Sequence, residues 1–227
     1  MGKRINCFYD KFVFFLAGVC FTICLGVSAV EASTINVQVQ VDSHAGPWDP
    51  ILNSGYDYGV HDHVSPTLID EALGFDFSSG NTLTIMYLNG TVSTCLGWPW
   101  VDAVGDTNHV ANDNGGSSGK GFPSKYMSVD WDTYLMALVG TFTDSGGVIV
   151  GTPFEIGNGP TNVIIPLGAA QLQLGVNDDV FGDNSGSFNV IVKDTPVPIP
   201  GAMWLLGSGL VSFAALRRKL KQYRLPT

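Results

Sequence analysis

Ile35-Asn36-Val37-Gln38-Val39-Gln40-Val41 alternates apolar and polar residues without a break. A period of two places Ile35 and the valines on one side of an extended chain and the amides on the other, as in a strand with one buried face. Working outward, residues 82–87, 134–142, 147–150, 162–165, 170–176 and 187–192 read as further strands. Clusters of Gly, Asn, Asp, Ser and Pro separate them, which is turn chemistry. Residues 67–73 alone read as briefly helical, and residues 112–121, rich in Gly and Ser, read as a surface loop. Many short strands, no strand–helix–strand alternation and no internal repeat predict an all-β fold. The expected form is an antiparallel, jelly-roll-like β-sandwich over residues 33–194.

Charge narrows the function classes. The chain has 227 residues and a formal net charge of −9. Its bases concentrate at the ends, with Lys3, Arg4 and Lys11 at one and Arg217, Arg218, Lys219, Lys221 and Arg224 at the other. Between residues 33 and 200, 18 acids face Lys120, Lys125 and Lys193, a balance of −15. Such a surface repels nucleic-acid phosphates, so no nucleic-acid partner is expected. It suits hard cations instead.

Both ends read as addresses. Lys3, Arg4 and Lys11 precede an apolar run over residues 12–30, closed by Val30-Glu31-Ala32. This predicts a signal peptide over residues 1–32, cleaved after Ala32. Cys7, Cys20 and Cys24 would leave with it, and Cys95 would remain without an internal disulfide partner. At the other end, residues 195–200 form a proline-rich linker and residues 201–216 an apolar segment with Trp204 placed for an interface. As a helix that segment would span ~24 Å, short for a membrane crossing. Residues 217–227 follow as a basic tail expected to stay cytoplasmic.

The order of proline box, Trp-Leu-Leu-Gly-Ser-Gly-Leu core and Arg-Arg-Lys stop resembles the PEP-CTERM sorting signal of Gram-negative bacteria, in its Val-Pro-Leu-Pro-type variant. Val197, Pro198, Pro200, Gly201, Trp204, Arg217, Arg218 and Lys219 carry the resemblance; Pro-Glu-Pro itself is absent. It implies export across the inner membrane and transient membrane attachment through the C-terminal helix. An exosortase would then sort the protein to the envelope or the exterior.

The stretch richest in chemistry is Asn177-Asp178-Asp179-Val180-Phe181-Gly182-Asp183-Asn184-Ser185-Gly186-Ser187-Phe188. Three carboxylates and the Asn184 amide sit in a short loop between two strand patterns, and Ca²⁺, with six to eight oxygen ligands, suits them. The spacing and the closing Glu of an EF-hand are missing. Here the chain resembles the galactophilic calcium lectins of bacteria, the PA-I type jelly-roll family, most closely over residues 170–194. The resemblance implies calcium held by Asp178, Asp183 and Asn184, with Asp179 as an alternate ligand and Val180 as a backbone-carbonyl ligand. In that family the ion takes two hydroxyls of galactose, so Asp178 and Asp183 would also face the sugar. The lectins' His- and Gln-containing sugar-contact segment finds no counterpart among residues 105–130.

Loop aromatics supply stacking surfaces for a sugar, with Trp98, Trp100 and Trp131 the best placed. His61-Asp62-His63 lacks a secured third ligand for zinc or copper. Residues 115–121 fail as a phosphate loop for want of the first Gly and the closing hydroxyl. Asp130 and Asp132 flank Trp131 without anything to split their acidities, and no nucleophile has an evident base. The expectation is a non-catalytic, calcium-dependent module for carbohydrate or exopolysaccharide, or a structural matrix protein in which calcium only stabilises a loop.

Overall fold

The computed structural model describes residues 34–111, 116–127 and 133–195, together with Phe213. The expected signal peptide, the sorting residues from Val197 to Lys219 and Trp131 with its flanking acids lie outside the described residues. The strands below belong to one unit, Ser33–Val197. They are β1 (Asn36–Asp42), β2 (Thr67–Asp70), β3 (Thr82–Ser93), β4 (Asp106–Val110), β5 (Tyr134–Leu135), β6 (Leu138–Thr143), β7 (Phe154–Glu155), β8 (Thr161–Ile164), β9 (Gln171–Val176) and β10 (Ser185–Thr195). Short 3-10 turns occur at Ser54–Tyr56, Glu71–Leu73 and Pro123–Tyr126. The described unit is therefore all-β, and no helix among the described residues is long and apolar enough to cross a membrane.

The strands form two four-stranded sheets, ordered β1-β10-β3-β8 and β2-β9-β6-β7, and a two-stranded β4-β5 sheet. Pairing within them is antiparallel throughout. β1 runs against β10 from Asn36↔Lys193 to Asp42↔Ser187, so Val37, Val39 and Val41 turn inward while Asn36, Gln38 and Gln40 stay exposed. The alternation in the opening stretch thus sets the face of the strand it occupies. Val41, Leu83, Ile85, Val190 and Val192 of the first sheet share one apolar cluster with Ile69, Leu138, Phe142, Leu172, Leu174 and Val176 of the second. Gly90 marks a tight crossing: at φ 104 its backbone lies so close to the Ser187 carbonyl that a Cβ would collide with it.

Three expectations are corrected. Residues 67–73 are not helical as a whole: Thr67 to Asp70 pair with Leu174 to Gln171 of β9, because Ile69 buries fully only as an inward strand residue. A 3-10 turn then follows, capped by the Asp70 carboxylate, which accepts from Ala72 N at 3.0 Å. Residues 134–142 break at Met136, whose φ of 66 turns the chain so that its N–H reaches Asn177 O at 2.9 Å. Residues 147–150 make a turn with one bridge, Thr143↔Ile149, rather than a strand. β4 carries no alternation in its sequence Asp-Thr-Asn-His-Val, which is why it escapes a periodicity reading.

Aromatic packing seats the loop that follows β9. Trp48 and Tyr58 are fully buried and meet edge-to-face with centroids 5.1 Å apart. Tyr58 OH donates to Trp48 O at 2.6 Å, and Trp48 Nε1 donates to Tyr56 O at 2.9 Å, so neither polar handle is stranded. Phe181, also fully buried, lies 5.8 Å from Tyr58. Burying that ring contributes roughly 2–3 kcal/mol toward holding the loop in place.

Candidate metal and ligand site

β9 delivers the chain into residues 177–184, and β10 carries it away. Asn177 is completely buried at the entry. Its Nδ2 donates to Ala111 O at 2.9 Å and to Tyr134 O at 3.2 Å, while its Oδ1 accepts from Ser124 N at 3.0 Å. One side chain thereby ties the exit of β4, the start of β5 and the 123–126 turn to the loop. At the far side the Asp62 carboxylate accepts from Phe181 N at 3.0 Å and Gly182 N at 2.8 Å. The acid of His61-Asp62-His63 is thus a loop anchor. His61 pairs with Asp57. His63 packs 5.7 Å from Phe181, and burial pulls its pKa down.

The two adjacent acids diverge. Asp179 turns to the 116–118 segment, where Ser118 N and Ser117 Oγ donate to its Oδ2. Asp178 turns inward: it is 1% exposed, and Thr94 Oγ1 donates to its Oδ2 at 3.3 Å. Burial pushes its pKa up to about 7. Bonds from Asp179 N and the Asn184 amide oppose the rise, and the Asp179 charge adds to it. Val180 is half-buried, with its N–H 3.5 Å from Asp178 Oδ1.

Asn184 is also buried, and its Nδ2 donates to Ser43 O at 2.8 Å. Its Oδ1 is buried with no hydrogen-bond partner among the described residues. An orphaned amide oxygen costs about 1–3 kcal/mol when left unmade. Asp183 is exposed at the loop tip. Desolvation and the Asp183 and Asp178 carboxylates push the Cys95 thiol up, so both acids act on the segment that begins at Thr94.

Among the described residues no three His, Cys, Asp or Glu side chains group as a metal centre. A calcium site draws on amide and backbone oxygens as well as carboxylates, so the fit rests on the whole oxygen set. That set is Asp178, Asp183, Asn184 and the loop carbonyls. It holds a buried carboxylate that ionises with difficulty and an amide oxygen that nothing satisfies, and both features suit a hard cation. Asp179 is engaged elsewhere.

Two exposed tryptophans stand on the segment that follows Thr94, the residue that donates to Asp178. Ser93 Oγ donates to Cys95 O and Trp98 O, both at 3.2 Å, folding residues 94–98 into a tight turn. Trp98 is 36% exposed, with its ring 4.6 Å from the His109 ring. Trp100 is 58% exposed and lies over Gly186, where a Cβ would come within 2.8 Å of its ring. His109 Nδ1 sits 2.7 Å from Asp106 Oδ2. Burial raises the Asp106 pKa, but bonds from Asn108 and His109 outweigh that and leave it below the usual carboxylate range.

His109, Asp106 and Asn177 escaped the sequence reading. For His109 the only signal was a histidine three residues after an acid in a polar stretch. For Asn177 there was none, since an Asn before two acids reads as a turn residue. No protein-family model matches the chain, and no curated protein matches it at a significant level.

Proposed function

We propose that this chain is an exported β-sandwich of jelly-roll type, sorted at the envelope by an exosortase, that binds carbohydrate or exopolysaccharide through a calcium ion held in residues 178–184. The observations that carry the reading are buried Asp178 and the unpartnered Oδ1 of buried Asn184, with exposed Trp98 and Trp100 on the segment that follows Thr94, which donates to Asp178. Asp178, Asp183, Asn184 and the Val180 carbonyl would hold the ion. Bound there, it supplies an electrophilic centre for a pair of sugar hydroxyls. Trp98 and Trp100 offer ring faces to the C–H side of a sugar. With Nδ1 engaged by Asp106, His109 leaves Nε2 for a hydroxyl. The reading is non-catalytic, with the C-terminal apolar segment as a transient membrane attachment.

A second reading has a specific observation in its favour. Asp62 and Asp179 brace the loop from two sides. A loop held so firmly suits a structural matrix protein, in which the ion only rigidifies it. Thermal melts with calcium and with chelator, followed by a glycan array in both conditions, separate the two. A calcium-raised Tm with a calcium-dependent glycan signal is the expected result. A raised Tm with an empty array would favour the matrix reading. An unchanged Tm would remove the ion from both.

A further inference from the structure

The outer face of the β1-β10-β3-β8 sheet carries a second surface, remote in sequence from the loop acids. The register lines its outward residues into rows. Asn36, Lys193, Thr84 and Asn162 cross all four strands in one row, Gln38, Ile191 and Met86 form the next, and Gln40, Asn189 and Asn89 the third. Cross-strand bonds hold several of these groups in fixed orientations. Asn189 Nδ2 donates to Asn89 Oδ1 at 2.7 Å, Thr84 Oγ1 to Asn162 Oδ1 at 2.7 Å, and Gln40 Nε2 to Ser187 Oγ at 2.9 Å. Ile164 at 69% and Leu88 at 37% exposure add apolar ground.

Charge is what sets this face apart. Of the chain's 20 acids, the four strands carry only Asp42, the last residue of β1, and Asp194, which is buried. In a domain so acidic elsewhere, these rows carry no carboxylate and one fixed charge, Lys193, among carboxamides, hydroxyls and apolar side chains, a make-up that suits an uncharged partner. Carboxamides present a donor and an acceptor side by side, which matches neighbouring hydroxyls on a chain. The three named rows cover about 14 Å along the strands and about 14 Å across them, a footprint that a narrow, hydroxyl-rich polymer fits. We propose that the outer face of β1-β10-β3-β8 is a calcium-independent binding surface for a neutral polysaccharide chain, laid across the Asn/Gln/Thr rows and the Met86–Ile191 centre.

The test is native affinity electrophoresis of the purified protein in gels cast with dextran, hydroxyethyl cellulose or galactomannan. Polygalacturonate serves as the anionic control, and chelator is present throughout so that the loop site stays silent. Retardation by at least one neutral polymer and none by polygalacturonate is expected. Gln38→Glu combined with Asn189→Asp should weaken it about ten-fold, the scale of one desolvated charge without a partner. Asn162→Asp, on a different strand, should act in the same direction, so the result does not hang on the folding of one variant. The proposal fails if no neutral polymer retards the protein in chelator, or if both charged variants migrate like the parent. It also fails if sedimentation shows a dimer that the charged variants dissolve, since the face would then belong to a second copy. Binding that appears only with calcium would support the loop site and overturn this one.

Discussion

Two polar regions of this molecule handle hydrogen bonding in opposite ways. The 177–184 loop buries its polar groups and leaves one unmet: Asn184 Oδ1 has no partner among the described residues, and Asp178 is driven toward its protonated form. The outer face of β1-β10-β3-β8 exposes its amides and hydroxyls and pairs several of them across strands. Asparagine stands in both places, buried at Asn177 and Asn184 and exposed at Asn89 and Asn162, so the amide itself does not separate them. Burial does. In the interior an unmade bond costs its full desolvation, whereas at the surface water covers the shortfall. A buried unmet set selects strongly for one compensating ligand, and an exposed, satisfied set offers weak, repeated contacts.

The sharpest way to break that comparison is Asn177→Ala. It strands Ser124 N and removes one donor each from Tyr134 O and Ala111 O, all next to the core. About 3 kcal/mol of stability should be lost in urea denaturation. A loss under about 1 kcal/mol would mean that the loop is not clamped from its entry. Calcium comes next. At a hundred-fold excess over Kd it should add about 2.7 kcal/mol to the parent, read as a raised Tm, and much less to Asn184→Ala. Equal gains in both would place the ion elsewhere.

The third prediction concerns pH in chelator. Asp178 is raised in the folded state, so between the ordinary carboxylate range and about 7 the folded protein holds a proton that the unfolded chain has released. The Asp178 contribution to stability should therefore fall as pH rises through that window, by up to about 1.4 kcal/mol per pH unit. Half-buried His63, its pKa lowered, acts with the opposite sign, so the readout is the difference between the parent and Asp178→Asn; identical pH slopes in the two would contradict the burial argument. Asp179→Ala should cost about 1 kcal/mol by releasing Ser118 N, without altering the calcium response. The smallest effect is expected from Asn189→Ala on the outer face, within about 0.5 kcal/mol. A larger loss would show that the face is structural.

The legible parts were those with a short period or a local cause. Alternation in residues 35–41 predicted β1 and its buried side, and the acids and glycines of 177–188 marked the loop. β4 was invisible because its Asp-Thr-Asn-His-Val has no apolar rhythm, and its position depends on Thr133 and Asn177, distant in sequence. Residues 67–70 show the same limit, since Ile69 becomes a strand residue only when β9 lies beside it. The cluster Asp178-Asp179 reads as one acidic pair along the chain. Only folding turned one acid to Thr94 and the other to Ser118.

By itself, then, the sequence determined that the domain from residue 34 to 195 is built of strands and turns, that residues 33–200 are strongly acidic, and that carboxylate and amide side chains concentrate after β9. Each of these follows from composition and neighbours only a few residues apart. The tertiary structure decided which carboxylate is buried, which amide oxygen goes unmet, that His109 stands beside Trp98, and that one sheet face is free of carboxylates over its central rows. Those outcomes depend on contacts between segments as far as 141 residues apart and more, where register and burial, rather than residue type, set what each group meets.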